Sequence, residues 1–370
     1  MVIRVGIIGL STSGGWASMA HLPYLRDSTK YEITGLCNSS RKSSQDAISK
    51  YKLESARPFD SVEKLCASDT VDLVVCAIAV FSHYEITKSA IEAGKDVYVE
   101  WPLGVSTAQA QELTQLAKDK GVRTTVGLQG AVSPLQTTLK RIIEAGSIGK
   151  PLVTQVFGSA CTGETGVKVD KRYSYFNDRD IAGVDGQVML SIYIGHTFEP
   201  LAKLLGEPQS VSAQLRTTWP TVDVLDGDKV IQSKVQKTAD DYASLQGTTK
   251  SGVAYTYTLR GGDAFSDGEG LVWDIIGDKG QIRVTGSTIM SNMGAEDYKI
   301  RLKEYVTGLI EEVPLDKPLD LPLVSQNVGR VYESFAYGGA HPTFDDAVQR
   351  HQYLDAVFKS ASNNGAQVIT

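Results

Sequence analysis

Ile3-Arg4-Val5-Gly6-Ile7-Ile8 runs directly into Gly9-Leu10-Ser11-Thr12-Ser13-Gly14-Gly15-Trp16-Ala17. A β-branched run suits a buried parallel strand, and glycines in the turn that follows let the backbone approach a pyrophosphate held at the start of the next helix. The stretch therefore reads as strand, Gly-rich turn and helix, with Gly9, Ser11, Gly14 and Gly15 as candidate cofactor-binding residues. The usual G-x-G-x-x-G spacing is altered, because Leu10-Ser11 follows Gly9 and the later glycines are adjacent. Trp16, next in line, is either a cofactor contact or an apolar plug over the cradle.

Working outward, an acidic residue at the end of the second strand normally accepts the adenosine ribose hydroxyls, whereas a cation there accommodates a 2′-phosphate. The second strand, Tyr31 to Cys37, is followed by Asn38-Ser39-Ser40-Arg41-Lys42, with no carboxylate until Asp46. Ser39 and Arg41 thus point to NADP(H) in preference to NAD(H). Val71 to Val80 is a nearly continuous apolar run and reads as a buried parallel strand. Phe81-Ser82-His83-Tyr84 opens a helix that ends at Gly94, and Asp96 to Glu100 is the next strand, broken by Trp101-Pro102. A helix from Ala108 to Lys120 and a strand from Val122 to Leu128 complete an alternation of strands and helices. That rhythm predicts a doubly wound parallel sheet with ligands at the carboxyl ends of its strands.

The rhythm stops near residue 128. The expected division is a dinucleotide-binding domain over 1–128 and a substrate and dimerisation domain over 129–370. A chain of 370 residues exceeds the ~250–300 at which single cores stop growing. In the second domain, Ser133 to Ala145 reads as a helix and Leu152 to Gly158 as a strand. Residues 161–185 read as a loop over a cleft, and Gly186 to Leu205 as a long buried helix. Strands at Gln209 to Leu215, Asp241 to Gly247, Val253 to Leu259, Leu271 to Ile276 and Gln281 to Thr285, many with period-2 alternation, predict an antiparallel sheet. A helix from Thr343 to Ser360 packs back on the body.

Composition narrows the function classes. The hydrophobic fraction is 42%, the charged fraction 22% and the net charge −6, with no run of ~18 or more apolar residues to cross a bilayer. No long basic block offers itself to a phosphate backbone, so neither nucleic acid nor membrane is an expected partner. Cys37, Cys66, Cys76 and Cys161 form no CxxC pair, so free thiols and no metal site are expected. The apolar start lacks a basic n-region, and the expected location is the cytoplasm.

The Gly9 to Ala17 turn with His21-Leu22-Pro23, Ser82-His83-Tyr84-Glu85, Val99-Glu100-Trp101-Pro102-Leu103, Leu128-Gln129-Gly130, Gly195-His196-Thr197 and Pro342-Thr343-Phe344-Asp345-Asp346-Ala347 carry a resemblance along essentially the whole chain. The sequence resembles the glucose-fructose oxidoreductase/inositol dehydrogenase (Gfo/Idh/MocA) family, and within it the galactose-pathway repressor-like branch, whose NADP-binding members serve as regulators. The resemblance implies a Rossmann domain joined to a large, mostly antiparallel sheet whose exposed face forms a homodimer. It adds Val80, His83, Glu100, Trp101 and Gln129 to the candidate cofactor-binding residues.

The departures from the family pattern bear on chemistry. Family enzymes carry Glu-Lys-Pro, with the lysine beside the reacting hydroxyl or carbonyl, whereas Trp101 stands at that position. An indole N–H donates a hydrogen bond but does not titrate usefully. The family's Asp-x-x-x-His pair falls on Ile192 and His196, so the aspartate is also missing. His196, Tyr193, Tyr173 and Tyr175 are the remaining candidates for a proton donor, while His83 is expected to order the strand-end turn. His21, His341 and His351 have no evident partners in the sequence. Two functions follow: an NADP(H)-dependent oxidoreductase acting on a small polar sugar-like, carbonyl or imine substrate, or a non-catalytic NADP-sensing regulator that binds an activator peptide.

Overall fold

The computed structural model describes residues 2–160, 162–163, 165–179, 188–265, 269–294 and 297–370. The first strands and helices alternate: β1 (Ile3–Ile8), α1 (Leu22–Asp27), β2 (Tyr31–Cys37), α2 (Arg41–Tyr51), β3 (Arg57–Phe59), α3 (Val62–Cys66), β4 (Leu73–Cys76), α4 (His83–Glu92), β5 (Asp96–Val99), α5 (Thr107–Lys120) and β6 (Thr124–Val126). Serine hydroxyls start several of these helices by accepting an otherwise unpaired N–H: Ser40 caps α2, Ser61 caps α3 and Ser106 caps α5. All six strands pair in parallel in the order β3-β2-β1-β4-β5-β6. That order is the doubly wound arrangement, with its reversal between β1 and β4.

The helix after the Gly-rich turn begins as a wide π-helical turn, Ala17–His21, before α1. Pro23 occupies the first turn of α1, where its missing N–H is tolerated.

The second unit contains α6 (Pro134–Glu144), β7 (Pro151–Ser159), β8 (Thr162–Gly163), β9 (Thr165–Asp170), α7 (Val188–Leu205), β10 (Pro208–Arg216), β11 (Thr221–Asp226), β12 (Lys229–Gln236), β13 (Tyr242–Thr249), β14 (Ala254–Arg260), β15 (Leu271–Gly277), β16 (Gly280–Gly286), β17 (Lys299–Glu304) and β18 (Ile310–Val313). The chain ends with α8 (Leu323–Tyr337), α9 (Phe344–Ser362) and β19 (Val368–Ile369). The larger sheet runs β18-β17-β16-β15-β7-β14-β13-β10-β19. It is antiparallel except where β7 pairs in parallel with β14, from Val153 opposite Ala254 to Ser159 opposite Arg260. One face is apolar and covered by helices, with Phe198 of α7 against Tyr255, Tyr257 and Tyr353. The alternate residues Gln155, Phe157, Gln246, Thr256 and Arg283 are exposed. A smaller sheet, β12-β11-β9-β8, includes residues that the sequence reads as loop.

One compact unit is Met1–Val132 with Asn292–Gly294 and Leu319–His351, and the other is Ser133–Ser291 with Ala295–Pro318 and Gln352–Thr370. A single cut at 128 therefore misses the return of α8 to the first unit. Val328, Val331, Tyr332 and Phe335 of α8 complete the core around Val5, Ile7, Tyr24 and Tyr31, and this burial recruits the helix. Among the described residues no helix is long and apolar enough to cross a membrane.

Candidate functional site

The end of β1 and the end of β4 approach so closely that only glycine fits between them. Gly9 has φ +101°, and a Cβ on it would lie 2.5 Å from the Ala77 carbonyl oxygen and 2.5 Å from Ile78 Cγ2. Gly14 and Gly15 have φ +93° and +123°, but a Cβ on either would meet nothing within 4 Å. The first glycine is therefore demanded by packing, and the other two by backbone conformation beside open space.

The turn is held by the elements around it. Tyr51 donates its hydroxyl to the Ser11 carbonyl at 2.7 Å, and Lys50 donates to the Thr12 carbonyl at 2.6 Å. The Asn38 amide N–H₂ donates to the carbonyls of Leu10 at 2.8 Å and Ser43 at 3.3 Å. Asn38 thus stands where a ribose-binding carboxylate would be, with its donors committed to the loop.

A cavity of about 480 Å³ opens beside the turn, with apolar walls from Ile8, Val62, Ile78 and Ile86. Hydroxyls of Ser11, Thr12, Ser39, Ser43 and Ser82 also line it. Apolar walls for a base, hydroxyls for a ribose and an open glycine backbone for a diphosphate fit the adenosine half of a dinucleotide. Of the sequence-predicted cofactor residues, Gly9, Ser11 and Ser39 line this cavity. Arg41 lines a neighbouring recess with Arg57, Asp60 and Lys64. Val80 is buried, and its neighbours Ile78 and Ser82 face the cavity instead. Trp16 is half-buried with its indole N–H enclosed and unpartnered among the described residues.

At the carboxyl ends of β4 and β5, His83 lies between two carbonyls: Nδ1 is 2.7 Å from that of Pro102 and Nε2 is 3.1 Å from that of Ile78. A neutral imidazole has a single N–H, so the shorter contact to Pro102 takes it. Burial lowers the His83 pKa, which keeps the ring neutral in this role. That one bond ties the start of α4 to the chain just past β5.

Trp101 is 5% exposed and packs its indole against the imidazole of His351, with ring centres 4.9 Å apart. Burial pushes the His351 pKa down to about 3, so this pair supplies no proton near neutral pH. Gln129 is fully buried, and both ends of its amide lack hydrogen-bond partners among the described residues.

His21, without a partner in the sequence reading, sits between Tyr332 and Glu100 at 2.7 and 2.8 Å. Sequence inspection could not find this grouping, because Tyr332 is 311 residues from His21. His341 lies 2.7 Å from the Gly339 carbonyl.

In the second unit His196 is 7% exposed on α7, and Tyr193 one turn earlier has no exposed surface. Tyr173 and Tyr175 flank Phe176 in a short 3₁₀ helix, Lys171–Asn177, with Tyr175 open to solvent. Cys161 lies outside the described residues, and the other three cysteines are buried free thiols. No group of three metal-ligating side chains occurs among the described residues. A larger recess of about 660 Å³ beside β10 holds none of the sequence-predicted site residues and is walled in part by exposed side chains such as Gln214 and Arg216.

Residues 3–128 match the family described as "Oxidoreductase family, NAD-binding Rossmann fold", and residues 134–286 match "Gal80p, C-terminal domain". The chain is 29% identical over 379 residues to dehydrogenase aclE of Aspergillus oryzae, covering 98% of this chain and 96% of that one. It is 28% identical over 408 residues to the galactose/lactose metabolism regulatory protein GAL80 of Saccharomyces cerevisiae, covering 97% and 92% respectively. A crystal structure of a super-repressor mutant of Gal80p from the same yeast superposes with a TM-score of 0.89 at 25% identity, over 100% of this chain and 98% of that one.

Proposed function

The chain belongs to the Gfo/Idh/MocA oxidoreductase family with a Gal80p-type C-terminal domain, and from that membership we propose that it is an NADP(H)-dependent oxidoreductase acting on a small polar carbonyl or imine. The observation that carries the reading is the open backbone at Gly14 and Gly15, at the carboxyl edge of a doubly wound sheet and next to a cavity lined by Ser39 and, among the described residues, by no carboxylate. Turnover is supported by the near full-length likeness to a dehydrogenase. For a chain of 370 residues, that alignment spans 379 residues and the one with the yeast regulator spans 408, so the regulator carries the larger insertions.

A bound nicotinamide nucleotide would supply the hydride. The chain's own part is to bind the diphosphate on the Gly14–Gly15 backbone, to hold the 2′-phosphate with Ser39 and Arg41, and to tie the start of α4 to the chain just past β5 through His83. Trp101 closes the wall where the family lysine stands. Positioned acid–base groups supply about 10²–10⁴-fold in rate, so a site without that lysine favours an electrophile that needs little protonation, such as an iminium. His196 is assigned to hold a proton where a carbonyl is reduced, in preference to the fully enclosed Tyr193. The outward sheet face bearing Gln155, Phe157 and Gln246 is assigned to a homodimer contact, and the location to the cytoplasm.

The second reading is a non-catalytic NADP-sensing regulator that captures an activator peptide. It is favoured by Trp101 and Ile192 at the positions of the family's lysine and aspartate, and by the likeness to the yeast repressor. NADPH consumption measured against ketones, aldehydes, ketosugars and cyclic imines separates the two. Turnover on a member of the panel is expected. No turnover together with nucleotide-dependent capture of an acidic peptide would replace the enzyme with the regulator.

A further inference from the structure

Lys299, Arg301 and Lys303 stand at alternate positions of β17 and are all exposed, while Ile300 between them is buried. Alternation puts the three cations on one face of the large sheet, about 6.8 Å from one to the next. The neighbouring strand adds a fourth. Arg283 of β16 is directly opposite Arg301, and Gln281 is opposite Lys303. Like charges facing each other across an antiparallel pair destabilise it, yet a chain of net charge −6 has gathered them here.

Neighbouring carboxylates answer only one of the four. Asp274 of β15 accepts from Arg283 Nε at 2.7 Å and from Nη2 at 2.6 Å, which fixes the plane of the guanidinium and leaves Nη1 uncommitted among the described residues. Glu312 of β18 is opposite Arg301 on its other side, but the two form no ion pair. Lys299, Arg301 and Lys303 have no hydrogen-bonding or ion-pair partner among the described residues.

These side chains line a recess of about 210 Å³, walled by Gln281, Arg283, Arg301, Lys303 and Ile310. Three cations suit an anion, the Gln281 amide suits a hydroxyl, and the exposed Ile310 suits a short carbon skeleton. We propose that the recess binds a small phosphate-bearing molecule, its phosphate seated among Arg283, Arg301 and Lys303. An anion there offsets the repulsion between Arg283 and Arg301, so the fold itself favours the occupied state. The surroundings select a small ligand over a macromolecule. β17 ends at Glu304 and β18 carries Glu311 and Glu312, so a long polyanion would run from cations into carboxylates. The recess shares no residue with the cavity beside the Gly-rich turn, and β15 separates β16 from Phe157 of β7.

Calorimetric titration of glycerol 3-phosphate, inorganic phosphate, sulfate and glycerol into the full chain tests this, with circular dichroism to check the fold of each variant. Glycerol 3-phosphate should bind wild type more tightly than either inorganic ion, and glycerol should not bind. Arg301→Gln is expected to weaken glycerol 3-phosphate by roughly tenfold or more, the scale of a charge-assisted hydrogen bond, and Lys303→Gln by about three- to tenfold. Glu312→Gln removes the opposing carboxylate and should tighten binding by roughly two- to threefold, a gain that damage to the fold does not produce. Should one variant fail to fold, the other two carry the test. Arg41→Ala, in the other compact unit, should change nothing. A loss in Arg41→Ala with none in Arg301→Gln and Lys303→Gln assigns the phosphate to the nucleotide cavity and overturns the site. No binding to wild type overturns it as well. Equal affinity for glycerol 3-phosphate, inorganic phosphate and sulfate leaves an adventitious ion only. Tighter binding of polyglutamate than of glycerol 3-phosphate, lost in the same variants, replaces the small ligand with an acidic protein segment.

Discussion

The indole of Trp101 lies on the imidazole of His351, ring centres 4.9 Å apart and planes inclined at 54°. A residue at the family's lysine position is thus built into the apolar interior, and restoring the lysine would bury an ammonium against a neutral ring. Trp101→Lys should cost about 3–5 kcal/mol of stability, through the lost ring volume and the enclosed charge. Trp101→Leu, which loses volume alone, should cost less. Ketone reduction in Trp101→Lys above that of Trp101→Leu, followed by NADPH absorbance, is the expected sign of a restored donor. Equal rates would dissociate the missing lysine from any narrowness of substrate.

His351 gives the fold an acid limb. Its folded-state pKa is about 3, held down by burial, against about 6.5 in an unfolded chain. Between those values the unfolded state binds the proton and the native state does not, so stability rises with pH through the window and is lost as pH falls from about 6.5 toward 3. Neither ring nitrogen has a hydrogen-bond partner among the described residues, so an apolar ring of similar shape forfeits little. His351→Phe should match wild type in melting temperature at pH 7.5 and exceed it at pH 5. Parallel melting curves at the two pH values would remove His351 as the cause.

What could be read from the chain, and what could not, follows from the range of the interactions. β1 and β5 are short apolar runs followed by Gly9 and by Trp101-Pro102, β4 lies in an unbroken apolar run, and strands such as β14 and β16 alternate at period 2, so each announces itself locally. α8 does not. Its buried apolar residues Val328, Val331, Tyr332 and Phe335 follow Ser325, Gln326 and Asn327, which are buried as well, so the first turn of the helix reads as polar and the apolar stripe is shortened. β12 escaped for the opposite reason: it is exposed along most of its length and carries no inward face to read. At the candidate site, the glycine turn was visible because backbone conformation is written in single residues. The Glu100–His21–Tyr332 chain was not, because it exists only once α8 has docked.

The three glycines of the turn should respond differently to an added methyl. Gly9→Ala drives a Cβ into the Ala77 carbonyl, a backbone atom that cannot swing away, and should cost several kcal/mol, on the order of ~3 or more, in thermal unfolding. Gly15→Ala meets open space and carries only the conformational penalty of about 1–2 kcal/mol. Its methyl nevertheless enters the space assigned to the diphosphate, so nucleotide affinity should fall at least tenfold, or about 1.4 kcal/mol. A Gly15→Ala protein that binds nucleotide like wild type would move the diphosphate off this turn.

Cofactor choice offers the last test, because Asn38 is committed to holding Leu10 and Ser43 while Ser39 and Arg41 are both exposed. Arg41 lines the recess with Arg57 rather than the cavity with Ser39, so its reach to a 2′-phosphate depends on a swing of its side chain from the start of α2. A charge-assisted hydrogen bond to a guanidinium contributes about 1.5–3 kcal/mol. Arg41→Ala should therefore weaken NADPH by roughly 10- to 100-fold and leave NADH unchanged, as read by tryptophan fluorescence titration. Ser39→Asp should go further, repelling the phosphate while offering the ribose hydroxyls a carboxylate, and invert the preference toward NADH. Equal losses for the two nucleotides in Arg41→Ala would assign the 2′-phosphate to other groups, with Arg57 as the neighbouring cation to substitute next.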